Sequence, residues 1–96
     1  MKRKILIVED NVGLSQMQKD WFSQAGYEAV TAMNEPIARS LIRKTQFDLI
    51  LSDVRLPEGD GISLLEWFRK ERKDIPFIIT TEYVSVPDVV RTIKLG

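Results

Sequence analysis

The chain lacks two kinds of side chain on which much of enzyme chemistry depends. It contains no cysteine and no histidine among its 96 residues. The absence of cysteine excludes disulfides, thiolate nucleophiles and zinc–thiolate sites. The absence of histidine excludes an imidazole as a base, a metal ligand or a phosphate carrier. This chain can therefore supply carboxylate, hydroxyl, lysine and arginine chemistry, and any histidine chemistry must come from a partner.

The sequence also has no excess of charge and no long apolar run. Its 14 Lys and Arg residues balance 14 Asp and Glu residues, so no basic field favours direct binding of DNA or RNA. The longest apolar runs, such as Ile5–Val8, are far shorter than the roughly 20 residues that cross a bilayer. Glu9 and Asp10 interrupt the apolar stretch after the basic start too early for an export signal. We therefore expect a single cytoplasmic domain over residues 1–96, with no membrane contact.

Short apolar runs alternate with segments of helical period, which predicts the order βαβαβαβα. The runs are rich in β-branched residues and too short for helices, so they are typical of buried strands. The predicted strands are Lys4–Val8, Tyr27–Ala32, Phe47–Ser52 and Phe77–Thr81. The predicted helices are Val12–Ala25, which Asn11 caps and Gly26 ends, a second opened by Asn34-Glu35-Pro36, Ile62–Arg72, and a last one that Ser85 caps. Buried strands separated by helices indicate an α/β fold with a doubly wound parallel sheet.

Acidic side chains follow two of the predicted strands, at the point where each strand ends. Glu9 and Asp10 follow the first strand, and Asp53 follows the third. With the strand order 2-1-3-4, strands one and three are neighbours, and ligands bind outside their carboxyl ends. Thr80 and Thr81 end the fourth strand nearby. Three carboxylates this close repel one another unless a proton or a cation is bound, and all-oxygen ligands indicate Mg²⁺.

Three motifs around these acids, and a fourth at the end of the chain, resemble those of a bacterial two-component response-regulator receiver domain. They are ILIVED at Ile5–Asp10, DLILSDVRLPEGDG at Asp48–Gly61, PFIITT at Pro76–Thr81 and VRTIKLG at Val90–Gly96. The last motif is similar to receivers of the nitrogen-regulator type, whose outputs are ATPases that activate an alternative sigma factor. The resemblance implies a flavodoxin-like sheet whose fifth strand and helix lie beyond Gly96, so that residues 1–96 form an incomplete receiver domain.

The resemblance implies a role for each residue of the site. Asp53 would be the phosphoacceptor, and Asp10 would bind Mg²⁺ directly. Glu9 would bind the ion mostly through water, and the main-chain carbonyl of Arg55 would complete the protein's ligands. Thr81 would be the switch hydroxyl that closes onto the phosphoryl group.

The resemblance also implies partners for this phosphorelay. The phosphoryl donor would be a phosphohistidine on a separate histidine kinase, which agrees with the absence of histidine here. A covalently linked output domain would control transcription. Without a fifth strand, the fourth strand would be an unpaired edge, which a second copy could cover to form a homodimer. We expect a phosphoacceptor that assists its own phosphorylation and dephosphorylation, not a turnover enzyme.

Other functions remain open at this stage. Glu82 follows Thr81 where receivers usually have a small residue, and the lysine of the fifth strand lies beyond Gly96. Both facts favour an alternative, a receiver-like interaction or dimerisation module that is never phosphorylated. A haloacid-dehalogenase-type enzyme is disfavoured, because it normally has a second aspartate where this chain has Arg55. The side chain of Arg55 fits either a contact with a partner or a charge that faces solvent. A flavin site is disfavoured because acids follow the first strand where phosphate needs donors.

Overall fold

Four parallel strands form one sheet in the order β2-β1-β3-β4. The computed structural model describes residues 2–71 and 74–80. Within them the elements are β1 Lys4–Val8, α1 Val12–Gln24, β2 Glu28–Ala32, α2 Glu35–Lys44, β3 Leu49–Asp53, α3 Gly61–Glu71 and β4 Phe77–Thr80. The predicted fold class and strand order are confirmed. The predicted last helix, together with Thr81 and Glu82, lies outside the described residues.

The register of the strands brings their carboxyl ends to the same edge of the sheet. Val8 at the end of β1 is paired with Ala32 of β2 on one side and with Ser52 of β3 on the other. Asp53, the last residue of β3, is paired with Thr80 of β4. The residues that follow β1 and β3 therefore meet at this edge.

Among the described residues, buried apolar side chains form two clusters, one on each face of the sheet. On one face, residues from β1, β2, β3, α2 and α3 form the larger cluster, which contains Leu6, Val8, Ala32, Ala38, Ile42, Phe47, Ile50, Leu64 and Phe68. On the other face, the described residues Ile5, Ile7 and Ala29 form the smaller buried cluster, with Phe22 and Leu49 packed against it. The central strand β1 thus supplies buried residues to both faces, as its continuous apolar sequence predicts.

Helix α1 leaves large apolar side chains exposed in the described part of the chain. Met17 is 44% exposed and Trp21 is 58% exposed, and none of the residues of α1 is buried. Phe22 is the large side chain of this helix that packs against the smaller cluster.

The predicted helix ends are confirmed where the structure describes them. The side-chain oxygens of Asn11 and Asn34 accept hydrogen bonds from the main-chain N–H groups of Leu14 and Ile37, both at 2.9 Å. Each bond satisfies an N–H group that has no partner inside its own helix. Gly26 follows α1 with a φ of +94°, the left-handed conformation that glycine adopts without strain.

In the described part of the chain, no helix combines the length and the apolar content needed to cross a membrane.

Candidate functional site

Three carboxylates meet at the carboxyl edge of the sheet, beyond β1 and β3. Glu9, Asp10 and Asp53 each place one oxygen so that the three oxygens lie within 4.8 Å of one another. Glu9 is buried, Asp53 is partly buried and Asp10 is exposed. The structure therefore brings together the three acids that the sequence singled out.

The neighbouring main chain holds Glu9 in place. Its N–H group donates to the carbonyl of Ala32 at 2.9 Å, which continues the pairing of β1 with β2 by one residue. Its carboxylate accepts a hydrogen bond from the N–H group of Asn11 at 3.1 Å. Since Asn11 also caps α1, the buried acid and the start of this helix are joined.

Burial and the neighbouring carboxylates disfavour the ionised form of Glu9. The pKa of Glu9 is raised above its ordinary value, first by burial and then by the charge of Asp53 and the hydrogen bond and charge of Asp10. The hydrogen bond from Asn11 acts in the opposite direction but does not cancel these effects. A bound cation would favour the ionised carboxylates and reverse the shift.

The donor set fits a hard divalent cation. Mg²⁺ takes oxygen ligands at about 2.1 Å, so ligands on opposite sides of the ion stand roughly 4.2 Å apart. Oxygens that lie within 4.8 Å of one another can therefore share one ion after small movements. The exposure of Asp10 leaves space for the water ligands that Mg²⁺ usually keeps.

The loop that follows Asp53 is closed on itself. The N–H group of Gly61 donates to the carbonyl of Val54 at 2.8 Å, and Arg55 and Asp60 form an antiparallel bridge. The N–H group of Arg55 is 3.5 Å from Oδ1 of Asp53, at the long limit of a hydrogen bond. The main chain of Arg55 thus lies beside the acids, and the role of its carbonyl as a ligand is still a prediction.

Two small residues that the sequence analysis did not assign to the site pack against the backbone of Asp53. A Cβ atom on Gly61 would overlap the main-chain oxygen of Asp53 and lie 2.9 Å from Oγ of Ser52. Ser52 is fully buried, and its hydroxyl donates to the same main-chain oxygen at 2.9 Å. A glycine at the start of a helix, directly after a turn, is the sequence signal that could have revealed this close approach.

Thr80 and Thr81 were both placed near the acids by the sequence. Thr80 is paired with Asp53, and its carbonyl accepts a hydrogen bond from the N–H group of Val54 at 3.1 Å. Its hydroxyl is 3.5 Å from the carbonyl of Ser52. Thr81, the predicted switch residue, is outside the described residues.

Comparisons with known proteins place this arrangement in a family. The family model for the response regulator receiver domain matches residues 5–96. A probable transcriptional regulator, ycf27 of Cyanophora paradoxa, is 34% identical over 95 residues, which cover 99% of this chain and 39% of that protein. Sporulation initiation phosphotransferase F of Bacillus subtilis is 32% identical over 96 residues, all of this chain and 77% of that protein.

A solved structure shows the same similarity. The response regulator protein TrrA of Thermotoga maritima, in complex with Mg²⁺–BeF, superposes with a TM-score of 0.81 at 30% identity. The match covers 84% of this chain and 70% of that one. Some curated relatives are much longer, since this chain spans 39% of one and 21% of two others.

Proposed function

This chain belongs to the response regulator receiver domain family, and from that premise we propose that it accepts a phosphoryl group on Asp53 from a histidine kinase. The observation that carries the proposal is the cluster of Glu9, Asp10 and Asp53 at one edge of the sheet. Phosphorylation would switch the conformation of the domain and so control an output domain. Residues 1–96 act in this proposal as one receiver domain.

The transfer needs only a positioned carboxylate and compensation of charge. An oxygen of Asp53 attacks the phosphorus of the phosphohistidine, the P–N bond breaks, and its electron pair returns to the imidazole, which takes up a proton. The new group adds about −1.5 to −2 charges to a site that is already acidic. Hydrolysis of the acyl phosphate by water restores the carboxylate. In this proposal the domain assists its own phosphorylation and dephosphorylation and is not a turnover enzyme.

The cation that fits this charge is Mg²⁺, which when bound neutralises the acids and the incoming phosphoryl oxygens. Asp10 and Asp53 would hold it directly, Glu9 mostly through water, and the carbonyl of Arg55 as a fourth contact. The proposal is supported by the fit of the three carboxylates to one ion. TrrA, a relative solved in complex with Mg²⁺–BeF, supports the choice of Mg²⁺ as the ion.

The switch in this proposal is Thr81, whose hydroxyl would close onto the phosphoryl group. It follows Thr80, and Thr80 is paired with Asp53 at the end of β4. The output would be control of transcription, as the name of the ycf27 relative suggests. The proposed place of action of this domain is the cytoplasm.

Acetyl phosphate and Mg²⁺ test the phosphoacceptor directly. We expect the wild-type protein to gain one acid-stable, base-labile phosphoryl group by mass spectrometry, and Asp53→Asn to gain none. Asp20→Asn is the matched control, because Asp20 is an exposed acid on α1 and should leave labelling unchanged. An adduct that persists in Asp53→Asn would refute the assignment of this residue.

An interaction module that is never phosphorylated is the alternative. Exposed apolar side chains favour it: Trp21 and Met17 on α1, and Ile78 on β4, which is 48% exposed at the edge of the described sheet. The same experiment separates the two functions. Wild-type protein that gains no phosphoryl group would contradict the phosphoacceptor and favour the interaction module.

A further inference from the structure

A buried acid outside the site has no role in the phosphoryl transfer described above. Among the residues that the structure describes, three polar or charged residues are buried, namely Glu9, Ser52 and Glu35. The first two belong to the site or touch its backbone. Glu35 begins α2 and is only 6% exposed. A carboxylate is costly to bury unless its oxygens are paired, so its contacts show what it does.

Glu35 binds the far end of the loop that follows Asp53. Its Oε1 accepts a hydrogen bond from the N–H group of Asp60 at 3.0 Å. Its own N–H group donates to the carbonyl of Glu58 at 3.2 Å. Its Oε2 forms an ion pair with the guanidinium of Arg39, one turn later on α2. Glu35 thus holds residues 58 and 60 of the loop through both its main chain and its side chain.

Gly59 fits this arrangement in two ways. Its φ is +81°, which disfavours other residues. In addition, a Cβ atom here would overlap the carboxylate of Glu35, lying 2.8 Å from its Cβ and 2.9 Å from its Cδ. Gly26 also has a positive φ, but a Cβ there would meet nothing within 4 Å. At residue 59, therefore, glycine is needed for space as well as for conformation.

Asp60 is linked to the acidic site by the loop that follows Asp53. Asp60 is bridged to Arg55 across the loop, and its Oδ1 accepts a hydrogen bond from the N–H group of Ser63 at 2.6 Å, at the start of α3. Arg55 is the residue whose main chain lies beside Asp53. A shift of Asp60 would therefore displace both the backbone of Arg55 and the start of α3.

We propose that Glu35 is a positioning residue for the cation site, acting through residues 54–60. It touches neither the acids nor the cation. Its carboxylate holds the main chain of Asp60 by a hydrogen bond. Because Asp60 is bridged to Arg55, this bond also keeps the main chain of Arg55 next to Asp53. This inference rests on the proposed function, since it assigns a support to the same site.

The ion pair with Arg39 explains how the charge of Glu35 is tolerated under the loop. The guanidinium of Arg39 lies 5.0 Å from the ring centroid of Trp67 on α3, so its own position is also restrained. Glu35 further lies in the first turn of α2, where the helix dipole favours an anion. Glutamine at this position would keep an acceptor for Asp60 but would lose the pair with Arg39.

The test compares Glu35→Ala, Glu35→Gln and a control on the same helix, Ile42→Val. Ile42 is buried in the larger cluster, so its truncation loosens the packing of α2 without touching the loop. Mg²⁺ affinity is measured by titration calorimetry, and hydrogen exchange at the Asp60 amide by NMR. We expect Glu35→Ala to weaken Mg²⁺ binding about tenfold, as losses of residues behind metal ligands do, and to accelerate exchange at Asp60. Glu35→Gln should have smaller effects, and Ile42→Val should leave Mg²⁺ affinity unchanged.

A second pair of variants tests the proposal where Glu35→Ala fails to fold. Gly59→Ala should weaken Mg²⁺ binding by pushing on Glu35. If so, adding Glu35→Gln to Gly59→Ala should cost less affinity than Glu35→Gln costs alone, because both changes disturb the same contact between Glu35 and the loop.

Unchanged Mg²⁺ affinity in Glu35→Ala overturns the proposal, even if exchange at Asp60 accelerates. If Asp53 is still labelled by acetyl phosphate in that case, the proposed function stands and only the role of Glu35 fails. Wild-type protein that binds no Mg²⁺ would overturn both.

Discussion

Replacing Gly61 with alanine tests how closely α3 must approach the strand that ends at Asp53. The added Cβ would overlap the main-chain oxygen of Asp53 and crowd the buried hydroxyl of Ser52. A backbone oxygen cannot rotate away, so the start of α3 must move off β3. Overpacking of this kind costs about 1–3 kcal/mol. The better helix propensity of alanine offsets at most about 1 kcal/mol of it.

We therefore expect Gly61→Ala to lower the free energy of unfolding by about 1–2 kcal/mol, measured by urea unfolding followed by circular dichroism. The melting temperature should fall by about 4–8 °C for each kcal/mol in a domain of this size. Gly13→Ala is the matched control within α1. A Cβ there meets only Oδ1 of Asn11, at an ordinary 3.4 Å. It should stabilise the protein by roughly 0.5–1 kcal/mol.

The same substitution is thus expected to lower the free energy of unfolding at Gly61 and to raise it at Gly13. If Gly61→Ala unfolds at the same or a higher urea concentration than the wild type, the close approach of α3 to Asp53 is refuted. The labelling rate with acetyl phosphate provides a second measurement, since a displacement of about 1 Å can cost on the order of 100-fold in rate. Gly13→Ala should leave that rate unchanged.

Two further substitutions test the electrostatics of the site and the role of α2. Because the pKa of Glu9 is raised in the folded protein, the folded state keeps this proton at pH values where the unfolded chain has lost it. Without a divalent cation, the free energy of unfolding should fall as the pH rises from about 4.5 through the folded pKa of Glu9. Glu9→Gln should make this fall smaller when the free energy is measured by urea titration at each pH. The same dependence on pH in the variant and the wild type would contradict the reasoning. Asn34→Ala removes the 2.9 Å cap of α2 and should cost about 1 kcal/mol of stability without weakening Mg²⁺ binding. Weaker Mg²⁺ binding would show that α2 as a whole, and not Glu35, holds the loop.

The parts of this molecule that the sequence predicted are those set by local pattern. Runs such as Ile5–Val8 are buried on both faces, so their apolar sequence is continuous and their identity as strands is unambiguous. Asn11 and Asn34 cap helices through their own nearest turns. The acidic edge was predictable too, because parallel strands in this order end at the same side of the sheet.

Features set by distant contacts were not predictable in the same way. The apolar residues of α1 recur with a helical period, but this period does not show how far Met17 and Trp21 are covered, and both are exposed. Glu35 has the sequence context of an ordinary first-turn acid. Its burial depends on Asp60, which is 25 residues away. The sequence around Glu35 does not indicate that its hydrogen-bond partner is so distant in the chain.

The loop after Asp53 shows why a buried acid is used there instead of an apolar side chain. Its first half is held by apolar contacts, since Val54 is buried and Leu56 packs against the larger cluster. The second half, residues 57–60, consists of Pro, Glu, Gly and Asp and has little apolar surface to bury. Hydrogen bonds to its main chain are then the available way to fix it. Glu35 makes two of these bonds, at Glu58 and Asp60, and leaves the loop open to solvent at its tip.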